Sequence, residues 1–165
     1  MITAIEWIHQ ATIALVCIVL TIAAISDVRR RRIPNWTVLV IAVLFGAWAS
    51  GEPSVSLVSS LGAALVIFLI SCGLYYFGVV GAGDSKLATV TALFAGLAHL
   101  LQFIFYMSLA GGLIVICMLA VQPTKALVIL QTRGRGGMGI SVPYGVAIAA
   151  AGALLLLLPQ PRLLI

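Results

Sequence analysis

The chain has 165 residues, 63% of them hydrophobic and only 8% charged, with a net charge of +5. Soluble domains carry about 25% charged residues, so this composition excludes a soluble globular domain and describes an integral membrane protein. Nor does the basic balance point to nucleic acid. Four of the nine Lys and Arg residues stand in a row at 29–32 between two apolar runs, the position of topology-setting charges and anionic-lipid contacts.

The first apolar run, residues 5–26, is long enough to cross a hydrocarbon core of about 30 Å at about 1.5 Å per residue. The N-terminal stretch, residues 1–10, carries Glu6 and no Lys or Arg, which is not the pattern expected of a cleaved signal peptide. Asp27 and the arginine cluster are expected to end this span. The second span is expected over 33–50, with Pro34 in its first turn, where a missing N–H costs nothing. It is short, and Trp36 and Trp48 are expected to anchor it at the membrane interfaces. A polar turn at 51–54 separates it from the third span, 57–78.

A glycine-rich stretch then leads into an apolar run from 87 to 121 that holds few polar groups besides His99 and Gln102. A single helix of that length would measure about 52 Å, too long for one crossing. The run is therefore split near 98–102 into a fourth span, 85–98, and a fifth, 102–121. Residues 122–141 read as a glycine-rich loop with Lys125, Arg133 and Arg135, and 142–158 as the sixth span, closed by Pro159 and Pro161. The expectation is one domain, 1–165, of the all-α integral membrane class, with about six transmembrane helices.

Orientation follows from the basic residues near span ends. Six spans collect residues 29–32, Lys86, Lys125, Arg133 and Arg135 on one side and leave Arg162 on the other. The positive-inside rule puts the first group in the cytoplasm and both termini on the non-cytoplasmic side. Asp27 and Asp84 then share the cytoplasmic face, and Glu6 and Glu52 the opposite one. Cys17, Cys72 and Cys117 lie in separate apolar runs with no C-x-x-C pair, so they read as small packing residues, with no metal site or disulfide framework.

Charged groups bordering membrane spans are costly and mark function. Taken singly, Asp84 would serve as a helix N-cap, Asp27 as a neighbour for the arginines, and Lys86 as an interfacial anchor. Taken together, two carboxylates at one membrane face are the parts of an aspartic protease. One, ionised, draws a proton from water; the other, protonated, donates to the peptide carbonyl. Close carboxylates titrate in separated steps and hold one proton over a working range. The glycines before Asp84 permit close approach of a peptide backbone.

The motifs Asp27, Arg31-Arg32-Ile33-Pro34-Asn35, Gly81-Ala82-Gly83-Asp84-Ser85-Lys86 and Val142-Pro143-Tyr144-Gly145 occur in an order that resembles the type IV prepilin peptidases. The likeness is to the small form serving Flp-type (tight adherence) pili. That resemblance implies a bacterial inner-membrane enzyme that cleaves basic leader peptides from pilin precursors at the cytoplasmic face, ahead of the pilin's hydrophobic helix. It carries Asp27 and Asp84 over as the catalytic pair. Gly81, Gly83, Lys86, Arg32, Pro34, Asn35, Pro143 and Tyr144 follow as supporting or substrate-binding residues. Larger members carry an N-terminal insertion with paired C-x-x-C motifs and also N-methylate the mature pilin. This chain has no C-x-x-C, so neither methyl transfer nor zinc is expected, and no cofactor is implied. The alternative from another class is a small proton- or ion-coupled transporter, or a pilus-assembly subunit, using the two aspartates for ion binding. Transporter acids are expected nearer the midplane, on broken helices of duplicated halves.

Overall fold

In the computed structural model, residues 4–51, 55–121 and 143–158 are described. They form six α-helices and, among the described residues, no strand: α1 (Ala4–Arg30), α2 (Asn35–Gly51), α3 (Leu57–Tyr76), α4 (Ala82–Ala95), α5 (Leu100–Val121) and α6 (Tyr144–Leu157). The turn at 52–54, the loop at 122–141 with its basic residues, and Pro159, Pro161 and Arg162 lie outside the described residues. The all-α class is as expected.

Three helices are long and apolar enough to cross a membrane: Trp7–Arg30 within α1, α3 and α5. The other three are shorter. The 14 residues of α4 and of α6 reach about 21 Å each, less than a hydrocarbon core of about 30 Å. They are sheltered instead. Thr91 and Ala92 in α4 and Ala151 in α6 are fully buried. α4 packs on α2, α3 and α6, and α6 on α1, α4 and α5. The outer helices carry the exposed apolar side chains, among them Leu69, Leu101 and Leu113.

Two boundaries differ from the sequence expectation in ways that matter. The first helix does not stop at Asp27 but runs on through Arg30. Charge ends an apolar span, whereas arginine is a good helix former and does not end a helix. The helix closes where Arg31 N–H donates to the Asp27 carbonyl and Arg31 takes a left-handed φ of 52°. Asp27 therefore sits inside the last turn. The break between α4 and α5 falls at 96–99, slightly ahead of the expected 98–102. Gly96 adopts a φ of 58° there, a conformation glycine reaches without strain. Ser59 Oγ of α3 accepts from the Leu97 N–H, which ties the turn down.

Trp48 turns toward the bundle rather than outward. It is half-buried, donates through Nε1 to His9 Nε2 at 3.2 Å, and packs against Phe45 and Phe94. Trp36 is exposed. Cys17 is partly buried, while Cys72 and Cys117 are exposed on their helices rather than packed inside.

Candidate active site

One end of the bundle gathers the motifs. The Cα–Cβ bonds of a helix tilt toward its N-terminus, so a residue in the last turn of α1 is aimed back into the bundle. Asp27 is 7% exposed. Its Oδ2 accepts the backbone N–H of Gly145 at 2.9 Å. Gly145 lies in the first turn of α6, behind Pro143 as N-cap and Tyr144. A carboxylate at a helix N-terminus satisfies an orphan donor and meets the positive end of the helix dipole.

Beyond Asp27 the chain reverses. Ser26 Oγ donates to the Arg32 carbonyl at 2.8 Å, across the turn that Arg31 makes. Pro34 sets the start of α2: its carbonyl accepts both the N–H and the hydroxyl of Thr37. The segment between lies against α4. A Cβ on Gly83 would stand 3.2 Å from Ile33 Cβ, and Lys86 Nζ donates to Asn35 Oδ1 at 3.3 Å. The two motifs, some fifty residues apart in the chain, are thus strapped together.

At the start of α4, Gly81 is the N-cap and Asp84 stands in the first turn. Asp84 is not the N-cap itself. Its carboxylate reaches back to the Gly81 N–H, one half of a capping box, since glycine has no side chain to return the bond. The Gly81 carbonyl accepts both the N–H and the hydroxyl of Ser85. Asp84 precedes the apolar part of α4, and its carboxyl is pushed up to about 6. Burial is the main cause and the nearby charge of Asp27 the second, with the Gly81 N–H opposing both. Asp84 and Tyr144 line one cavity of about 480 Å³ between α3, α4, α5 and α6, whose other walls include Leu74, Met107 and Ile148.

The structure therefore brings Asp27, Asp84, Gly81, Pro143 and Tyr144 to one site, with Gly83, Lys86, Pro34 and Asn35 bracing it. Arg32 contributes its carbonyl, while its side chain is exposed. Sequence reasoning missed Ile33 as the neighbour of Gly83, and Gly145 as the partner of Asp27. A Pro-aromatic-Gly string was visible, but nothing in its spacing pointed to residue 27. Among the described residues there is no group of three or more His, Cys, Asp or Glu that would hold a metal ion.

Helices of membrane length and a pair of electrostatically coupled carboxylates at one end of the bundle define a membrane protein with an acid-pair site. A family model described as the type IV leader peptidase family matches residues 14–116, more than half of the chain. The chain belongs to that family, and so to the proteases. The match spans Asp27, the Ile33-Pro34-Asn35 turn and Asp84, and stops short of α6. No curated protein and no solved structure gave a match.

Proposed function

We propose that the protein is an aspartic endopeptidase of the bacterial inner membrane. It cleaves leader peptides from type IV pilin precursors, of the Flp type, at the cytoplasmic face. The observation that carries this reading is that Asp27 and Asp84, from two helices, lie close enough for one charge to act on the other's proton. Two carboxylates sharing one proton can run both halves of amide hydrolysis. The ionised member removes a proton from water as its oxygen attacks the scissile carbonyl carbon. The protonated member donates to the carbonyl oxygen. As the tetrahedral species collapses, a proton passes to the leaving nitrogen, the C–N bond breaks and the pair is restored.

The surroundings suit such a substrate. The cavity beside Asp84 is walled by apolar side chains of α3 and α5, which fits the hydrophobic helix that follows a pilin leader. The exposed arginines at 29–32 and Lys86 flank the same end of the bundle, which supports a cytoplasmic orientation by the positive-inside rule and contact with lipid phosphates. An ion-coupled transporter would place its acids nearer the middle of its helices, whereas these stand in a last turn and a first turn.

The test is co-expression with an Flp-type pilin precursor and a gel-shift assay of processing. Asp27→Asn and Asp84→Asn each keep size but lose the exchangeable proton. Both are expected to abolish processing at normal membrane levels; processing that survives either substitution refutes the acid-pair reading.

A further inference from the structure

We infer that Gly145 is a positioning residue for Asp27: its N–H holds the carboxylate, and its missing side chain is the space that the carboxylate occupies. This rests on the protease reading above and names a residue outside the acid pair. The contact joins positions 118 apart in the chain and is buried. A Cβ on Gly145 would stand 2.8 Å from Asp27 Oδ2 and 3.0 Å from both its Cβ and Cγ. The first is closer than real Cβ contacts come and the other two are at the tight limit, and one of the atoms in the way is the Cβ, which cannot swing aside without moving α1.

Backbone conformation does not explain this glycine. The positive-φ glycines among the described residues are Gly78 and Gly96, so Gly145 has a backbone that alanine adopts freely. Alanine is also the better helix former. What excludes a side chain here is Asp27. The N–H that engages Oδ2 holds the orientation of the carboxyl. Preorganisation of a proton-transfer group contributes to the chemical step and not to substrate binding.

A second glycine supplies the control. Gly152 lies two turns along the same helix, and a Cβ there would meet Thr91 and Leu20, not an acid. The experiment compares Gly145→Ala, Gly152→Ala and Asp27→Asn in the purified full chain in detergent, with a pilin precursor as substrate. Thermal stability, kcat and KM are read for each. Gly145→Ala is expected to lower kcat about ten- to a hundredfold, the scale of one hydrogen bond to a charged group, with KM unchanged. Gly152→Ala is expected to lower Tm while the folded fraction keeps its kcat. Should Gly145→Ala also lose stability, Asp27→Ala, which takes Oδ2 and Cγ out of the path and leaves only the Cβ contact, is expected to restore part of its Tm but none of that of Gly152→Ala. A normal kcat in Gly145→Ala, or a loss of Tm that Asp27→Ala does not relieve, overturns the inference. Unimpaired cleavage by Asp27→Asn overturns instead the protease reading on which it stands.

Discussion

Gly152→Ala tests how the two acid-bearing helices are held together. A Cβ at Gly152 would stand 2.6 Å from Thr91 Cγ2 and 3.0 Å from Leu20 Cδ1. Both neighbours are essentially inaccessible, with Leu20 at 1% and Thr91 at 0% exposure. Thr91 cannot rotate away freely, because its hydroxyl donates to the Leu87 carbonyl at 2.8 Å. Overpacking of this kind costs about 1–3 kcal/mol, and disturbing the hydroxyl adds about 1 kcal/mol. Alanine returns about 0.5–1 kcal/mol as the better helix former. The net is a loss of about 1–3 kcal/mol, to be read as a drop of several degrees in thermal unfolding in detergent. Thr91→Ser removes the offending methyl and keeps the hydroxyl. It loses some packing by itself, so the coupling between the two positions is the quantity to measure. The double variant is expected to be more stable than the two single losses predict. An unchanged Tm in Gly152→Ala, or strict additivity with Thr91→Ser, would refute the packing argument.

The pH dependence of stability carries a sign that can be worked out. The carboxyl of Asp84 titrates at about 6 in the fold against an ordinary 3.8. The folded chain thus binds the proton more tightly than the unfolded one, so this group favours folding at low pH and loses that contribution as pH rises from about 3.8 to about 6. Asp84→Asn is expected to flatten that part of the Tm-against-pH curve; an identical slope in both proteins would contradict it. Gly83→Val would push against Ile33, whose Cβ would lie 3.2 Å from the new Cβ, and shift the turn that bears Asp84. Cleavage is expected to fall about tenfold, from a displacement worth about 1.4 kcal/mol, and Ile33→Gly in the same chain, which removes that Cβ, should restore part of it. Wild-type processing by Gly83→Val would show that the turn has slack.

Much of the architecture was legible because the chain has so few polar residues to spend. In a sequence this apolar, Gly51, Pro34 and the glycines at 78–83 stand out as punctuation, and run length alone is enough to mark out α1 and α3 and to show that 87–121 holds two helices. Inside and outside are harder to tell apart. A helix packed in a soluble core has one apolar face, and the period of that face reports its orientation. Here the outward faces are apolar as well, with Leu39, Val43 and Leu61 exposed on α2 and α3. No periodicity could show that Trp48 turns inward to His9 while Trp36 turns out, or that the small residues of α6 form its buried face.

The site divides along the same line. Asp27 and Asp84 were legible because a charge beside a membrane-length run is costly and so needs a reason. The groups that hold them were legible only as members of motifs, without their roles, because they act through the backbone. The Gly145 N–H on Asp27 and the Gly81 N–H on Asp84 belong to residues with no side chain to attract notice. The three positions that meet at the site have a counterpart deeper in the bundle. Gly152, and Leu20 and Thr91 that close on it, lie seven residues from Gly145, Asp27 and Asp84 respectively. Seven residues are two helical turns, about 10 Å, so the same three helix faces that close the packed seam carry the acid pair and its N–H donor. The seam holds the three helices together, and the carboxylates stand about two turns away from it. That is why a single methyl group at Gly152 or at Gly145 is expected to act so differently: the first loosens the frame, and the second moves one acid within it.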